Sequence, residues 1–154
     1  NAFSWKGFDL SFLLQSVVGA DIINTLRIRF DNLDGRRNIP RFIYEGAWDG
    51  EGSTDEFRQI NLNNGNGRFS DRFIEDGTYF RFKNLQLGYT LDAGNIVWLS
   101  SARLYVNAIN LWTLTNYTGY DPEVSAFNSS AMKGVDLGSY PMSRTITVGV
   151  NLGF

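Results

Sequence analysis

Near its end the sequence alternates without interruption. Ile146, Val148, Val150, Leu152 and Phe154 share one parity, and Thr145, Thr147, Gly149, Asn151 and Gly153 share the other. Successive side chains of a strand point to opposite faces. The run therefore predicts a strand with one apolar surface and one small polar surface free of charge. A strand in a soluble sheet alternates too, but its solvent face usually carries Lys or Glu. An apolar-out, polar-in strand of about ten residues is the unit that spans an outer membrane in a closed barrel. Once one face is apolar and the other polar, a one-residue slip would invert both, so register is tightly constrained.

Composition agrees with strands and turns. The 154 residues include 16 Gly and only 3 Pro, and 15% are aromatic. Aromatics favour the pleated surface of a sheet and glycines favour tight turns. With no Cys there is neither a disulfide framework nor a thiolate site, and with no His the usual general base and commonest metal ligand are missing. A formal net charge of −2 gives no footprint for nucleic acid. Mean hydropathy is −0.21 and no long apolar run is present, which excludes a membrane-spanning helix. A β-barrel is not excluded, because only alternate residues of its strands meet lipid.

Along the chain, Phe3 and Trp5 mark the tail of a strand, and Lys6-Gly7 reads as a compact turn. Phe8, Leu10, Phe12 and Leu14 then alternate with Asp9, Ser11, Leu13 and Gln15, so a hairpin is expected, with Leu13 the one apolar residue on the polar side. Residues 78–91 form a strand whose phase changes. Phe80 and Phe82 fall on one parity and Leu85, Leu87, Tyr89 and Leu91 on the other, which predicts a bulge near Lys83-Asn84. A short connection around Asp92-Ala93-Gly94 leads to Ala102, Leu104, Val106 and Ala108, and Asn110-Leu111-Trp112 continues that strand.

Two long connections separate these runs. In 19–77, Ile22, Ile23 and Leu26 sit at helical spacing behind Asp21, which predicts a short helix capped by that aspartate. Asp31-Asn32-Leu33-Asp34-Gly35 and Asn63-Asn64-Gly65-Asn66-Gly67 read as turns. The second connection spans 116–143. Loops this long are usually functional. Connection lengths run short, long, short, long, the outer-membrane pattern of short periplasmic turns and long extracellular loops. That order places Phe154 at the periplasmic rim. The chain opens at Asn1 within a strand, without an initiator Met or signal peptide, and is expected to be a piece of a longer polypeptide.

Four stretches, taken in order, resemble the C-terminal barrel region of the SusC/RagA-like TonB-dependent outer-membrane receptors. They are Lys6-Gly7-Phe8-Asp9-Leu10-Ser11; Ser70-Asp71-Arg72-Phe73-Ile74-Glu75-Asp76-Gly77-Thr78-Tyr79-Phe80-Arg81-Phe82-Lys83-Asn84-Leu85 with Leu87-Gly88-Tyr89; Tyr105-Val106-Asn107 through Asn116-Tyr117-Thr118-Gly119-Tyr120-Asp121-Pro122-Glu123; and Gly134-Val135-Asp136-Leu137-Gly138-Ser139-Tyr140-Pro141. The resemblance implies an all-β fold: roughly the last four strands of an antiparallel transmembrane barrel of about 22 strands, with two long extracellular loops and no plug domain. It implies TonB-dependent uptake of an oligomeric nutrient, glycan or peptide, across a bacterial outer membrane. The implied partners are outer-membrane lipid, the remaining barrel and plug, a SusD-like surface lipoprotein, the outer-membrane insertion machinery, and TonB acting through the plug. Residues 37–61 depart from the family pattern, most at Tyr44-Glu45-Gly46-Ala47-Trp48.

Candidate ligand contacts are Tyr44, Trp48 and Asp49 in the first connection and Tyr117, Tyr120 and Asp121 in the second. Aromatic faces stack on apolar sugar faces and carboxylates accept hydroxyl protons; the competing role is packing the loops together. Val150, Leu152 and Phe154 are candidates for an assembly signal. Arg81, Lys83, Arg103, Tyr105 and Asn107 are expected on a polar lumen, and Trp98 and Trp112 in interfacial girdles. Four acids crowd residues 49–56, but their spacing does not match a helix-flanked Ca²⁺ loop, and no metal or other cofactor is assigned. No catalytic residue is assigned, because no His or Cys is available to pair with a nucleophile. The alternatives are a soluble secreted β-sandwich that binds carbohydrate and a purely structural barrel piece for secretion or assembly. Exposure of the Leu104 and Ile146 faces would separate barrel from sandwich.

Overall fold

A computed structural model describes residues 1–31, 38–54, 56–61, 68–92, 94 and 98–154. In chain order the elements are β1 (Ala2–Trp5), β2 (Phe8–Val17), β3 (Asp21–Asn24), α1 (Thr25–Phe30), α2 (Arg41–Glu45), β4 (Ile74–Asp76), β5 (Tyr79–Asp92), β6 (Ser101–Thr115), β7 (Val135–Asp136) and β8 (Thr145–Gly153), with short 3₁₀ turns between them. The chain divides into two compact units. One comprises Asn1–Gly19, Thr78–Asn116 and Pro141–Phe154, and the other comprises Ala20–Gly77 and Tyr117–Tyr140.

The first unit is a five-stranded sheet in the order β1-β2-β5-β6-β8. Every pairing in it is antiparallel. Its register aligns apolar residues across all five strands. Phe3 pairs with Leu10, Leu10 with Leu87, Leu87 with Val106, and Val106 with Val148. Trp5, Phe8, Tyr89, Leu104 and Val150 form a second such row. Within the face, rings meet across strands: Phe8 and Tyr89 lie 4.4 Å apart, Phe12 and Phe82 6.0 Å, and Phe80 and Trp112 6.1 Å. Such pairs are the stabilising unit of a sheet. Yet the face is open, with Leu104 48%, Ile146 62% and Val148 74% exposed. A sandwich would bury these residues against a second sheet. In this sheet β1 and β8 are the edge strands.

The opposite face carries Asp9, Ser11, Asn84, Gln86, Arg103, Tyr105, Asn107, Thr147 and Asn151, as the same register requires. At Lys83 the ladder slips as expected. Phe82 and Asn84 of β5 pair with Trp112 and Ile109 of β6, and with Leu14 and Leu13 of β2. The extra residue restores parity, so Phe80 and Phe82 share the apolar face with Leu85 and Leu87. Asn110 takes a left-handed φ of 51° opposite the bulge. Leu13, anomalous in the sequence, lies on the polar face as its parity demands.

The β1–β2 turn is two residues long, with φ of 45° at Lys6 and 86° at Gly7. Positive φ at both positions is the hairpin turn whose twist matches its strands. This turn and the β5–β6 connection lie at one end of the sheet, and both long connections leave from the other. Of the β5–β6 connection, Ala93 and 95–97 lie outside the described residues, as do 32–37, Asp55 and 62–67. The turns read around Asn32-Leu33-Asp34-Gly35 and Asn63-Asn64-Gly65-Asn66-Gly67 therefore fall outside them too.

The long connections are not open loops; together they make the second unit. Its sheet runs β4-β3-β7, with β3 antiparallel to β4 and parallel to β7. Ile22, Tyr117 and Val124 form one buried cluster, and Ile43 and Phe57 another. The helix expected behind Asp21 is corrected. Asp21–Asn24 is strand, because Ile22 is recruited to the core and Ile23 to the ladder, and the helix starts at Thr25. Asn24 is its cap, accepting the Arg27 N–H at 3.2 Å.

Candidate functional site

Three buried polar side chains organise the second unit. Asp136 is fully buried, and its Oδ2 accepts the Tyr117 hydroxyl at 2.6 Å. Its Oδ1 accepts the N–H groups of Gly138 at 2.8 Å and Ser139 at 3.0 Å. Burial, reinforced by the Asp136 carboxylate, pushes the Tyr117 phenol far above its ordinary value. Asn24, also buried, donates to Glu75 at 3.0 Å while capping α1. Asp31 meets Arg27 at 3.4 Å and Arg72 at 3.2 Å. Burial raises its pKa despite both cations.

Glu75 joins the two stretches of this unit. It accepts the Thr118 N–H at 2.9 Å and the Thr118 hydroxyl at 2.7 Å, and lies 3.6 Å from Arg27. Burial alone would push its carboxyl up, but the Thr118 and Asn24 hydrogen bonds and the Arg27 charge hold it below its ordinary value.

Above this network lies a groove of about 370 Å³, walled by Phe30, Pro40, Phe42, Phe57 and Tyr120, with Glu56 among its lining groups. Phe42 and Phe57 are 6.1 Å apart with tilted rings. A neighbouring cleft of about 400 Å³ is bounded by Trp48, Arg58, Gln59 and Arg72 and shares Phe57 and Glu56 with the groove. Arg72 stacks its guanidinium over the Phe57 ring at 5.1 Å.

The six candidate contact residues therefore separate. Tyr44, Trp48, Asp49 and Tyr120 are exposed. Tyr120 borders the groove, Trp48 borders the cleft, and Tyr44 and Asp49 border neither. Tyr117 and Asp121 are only 5% exposed. Tyr117 is committed to Asp136, and Asp121 accepts the Glu123 N–H at 2.9 Å in a turn. Their geometry makes both of them braces of the fold. Phe30, Phe42, Glu56 and Phe57 line the groove without having been singled out. Only their aromatic and acidic character in a long connection marked them, and no spacing connects them.

Around the acid-rich segment, Ser53 Oγ accepts the Asp49 N–H at 3.2 Å and donates to Gly50 O at 2.8 Å, closing a turn. Among the described residues no cluster of three acids stands at metal-binding distance. Asp55 lies outside them.

On the polar face of the first unit, Arg103 forks onto Asp9, with Nε at 3.1 Å and the second contact at 2.5 Å. A Cβ at Gly88 would stand 2.4 Å from Asp9 Oδ1, and one at Gly149 would stand 2.4 Å from the Tyr105 ring. Both glycines are notches that let large polar side chains lie along the wall. Arg81 is 2% exposed, donates to Thr113 at 2.9 Å and covers the Tyr79 ring. Arg81, Arg103, Tyr105 and Asn107 thus share the face expected of them, with Lys83 at the bulge. Val150 and Leu152 lie on the apolar face of the edge strand β8, and Phe154 stacks on Trp98 at 6.0 Å. Trp112 lies on the same face near its other end.

No protein-family model matches the chain. Over its full length it is 32% identical to TonB-dependent receptor P3 of Formosa agariphila, of which it covers 16%. It is 25% identical over 97% of its length to TonB-dependent receptor SusC of Bacteroides thetaiotaomicron, covering 14% of that protein. Among solved structures, the RagAB peptide importer in its closed-closed state matches with a TM-score of 0.77 and 30% identity, over 98% of this chain and 16% of that one. The open-open state matches with a TM-score of 0.74. The chain thus spans between 14% and 16% of the length of these proteins.

Proposed function

This chain belongs, as a barrel segment, to the SusC/RagA-like TonB-dependent receptors, and from that premise we propose that it serves nutrient uptake across a bacterial outer membrane. The observation that carries the reading is the two-faced sheet. Its apolar rows run across five strands with large side chains such as Leu104, Ile146 and Val148 exposed, while its polar face carries the Asp9–Arg103 pair and two glycine notches. Lipid is the solvent such an apolar face requires, and a lumen is what the polar face requires. The second unit, built from both long connections, is the extracellular part. There Tyr44, Trp48, Asp49 and Tyr120 are the exposed groups available to an oligomeric nutrient, glycan or peptide. Binding and gated passage need no covalent chemistry, and the chain acts without catalytic residues.

A SusD-like surface lipoprotein sits over the extracellular unit, and TonB acts on a plug outside this chain. The outer-membrane insertion machinery recognises the alternating apolar residues of the last strand, Val150, Leu152 and Phe154.

The test is an epitope inserted between Asp49 and Gly50 of the complete receptor. In intact cells the epitope is expected to be accessible to antibody, and nutrient uptake to be lost when TonB is deleted. An epitope reached only after the outer membrane is permeabilised, or uptake indifferent to TonB, would overturn the reading.

A further inference from the structure

We propose that the cleft bounded by Trp48, Arg58 and Arg72 binds a carboxylate group carried by the imported nutrient. This rests on the uptake reading above, which turns the second unit toward the nutrient, and it specifies the charge of the ligand there.

The backbone sets the cleft's walls in place. Phe57 N–H donates to Gly46 O at 3.1 Å and Trp48 N–H donates to Phe57 O at 2.9 Å, which makes a parallel bridge between Ala47 and Phe57. Trp48 and Arg58 each follow a bridged residue, so they lie side by side. Phe57 packs on Ile43, and a Cβ at Gly46 would stand 2.9 Å from the Phe57 ring, so the bridge sits tightly on its core. Arg72 lines the same cleft with its guanidinium over the Phe57 ring at 5.1 Å and one nitrogen 3.2 Å from Asp31. Both contacts hold it in place before any ligand arrives.

The balance of charge then decides what the cleft takes. Among the described residues, no ion pair or side-chain hydrogen bond engages the exposed Arg58, and none engages the amide of Gln59 beside it. Asp31, the anion that meets Arg72, is buried and shared with Arg27. Glu56 also lines the cleft but pairs with neither arginine. Two guanidiniums and an uncommitted amide thus stand against one carboxylate in a cleft of about 400 Å³. A guanidinium donates two parallel hydrogen bonds to a carboxylate, and such charge-assisted bonds are roughly twice as strong as those to a neutral hydroxyl or amide. Trp48, 40% exposed, offers a flat apolar flank to the carbon skeleton that bears the acid.

The experiment uses the complete receptor purified in detergent and measures binding by calorimetry. Two pairs of probes are used, each pair alike in shape and different in charge: trigalacturonate and its methyl ester, and acetyl-glycyl-glutamyl-glycinamide and its glutaminyl analogue. At least one acid is expected to bind about tenfold or more tightly than its neutral form, as one charge-assisted contact implies, and the pair that shows this identifies the polymer. Arg58→Gln, at a side chain without an intramolecular partner among the described residues, is expected to erase the difference. Arg58→Lys should retain part of it, and Glu56→Gln should widen it by removing the opposing charge. Added salt should narrow it, because the arginines are open to solvent. Neither acid binding better than its neutral form, or a preference for the acid that survives Arg58→Gln, would overturn the inference and leave TonB-dependent uptake standing. A buried epitope or TonB-independent uptake would instead strike the reading beneath it.

Discussion

The Tyr117–Asp136 hydrogen bond is expected to hold the second unit shut, and its strength can be worked from its surroundings. Asp136 is fully buried and accepts three donors, the Tyr117 hydroxyl and two backbone N–H groups. Its own backbone carbonyl accepts the Thr25 hydroxyl at 2.5 Å, tying β7 to the start of α1. A hydrogen bond to a charged group contributes about 1.5–3 kcal/mol, so Tyr117→Phe is expected to cost about 2 kcal/mol. Asp136→Ala strands the buried Tyr117 phenol and unties the Gly138 and Ser139 amides, and is expected to cost about 4 kcal/mol. The double variant should then cost about 2 kcal/mol less than the sum of the singles, because the bond can be lost only once. The reporter is the Ile23 N–H, which crosses from β3 to Gly134 O at 2.7 Å. Amide exchange at Ile23, followed by mass spectrometry on the complete receptor, reads the local opening free energy. About 2 kcal/mol of coupling appears as a shortfall of roughly thirtyfold in the double variant's exchange rate. Additive effects, or an Ile23 amide indifferent to all three variants, would refute the assignment of this bond as the clasp.

Because the folded Tyr117 pKa is raised, the folded unit keeps a proton that the unfolded chain gives up. Its stability is therefore expected to be full below about pH 10 and to fall as pH rises beyond it, and Ile23 exchange corrected for intrinsic rate will show this. Glu75 has the opposite sign: its pKa is lowered, so its contribution is present above the ordinary glutamate range and is lost on acidification, an effect absent in Glu75→Gln. Val148→Lys, at the middle of the apolar face, should cost about 2–4 kcal/mol and reduce the heat-modifiable folded band on a gel, whereas Thr147→Lys on the polar face should leave it unchanged. Gly88→Val should displace the Asp9–Arg103 pair, since even a Cβ there stands 2.4 Å from Asp9, and should lower folded yield more than Gly88→Ala does.

The barrel sheet was legible because its code is local. Period-two alternation assigns each side chain a face without knowledge of the partner strand, and even the Lys83 bulge shows itself as a parity change between Phe82 and Leu85. The strand tail at Phe3 and Trp5 pairs with β2 as β1, which makes five strands where roughly four were expected. The second unit has no such code. Glu75 meets Thr118 across 43 positions, and Thr25 meets Asp136 across 111. Neither pairing leaves a periodic trace in the sequence between its partners. Ile22, Ile23 and Leu26 look helical in isolation, but the cross-chain ladder to β4 and β7 claims the first two as strand. The same blindness exchanged structural for binding roles among the aromatics. A tyrosine at 117 and another at 120 are equivalent to a reader of composition. Only the buried carboxylate at 136, reached through the fold, makes one a clasp and leaves the other free to meet a ligand. Under the proposed uptake role the two kinds of region do different work: a sheet specified by local alternation suits assembly in lipid, while a unit held by a few buried polar contacts can vary its exposed surface.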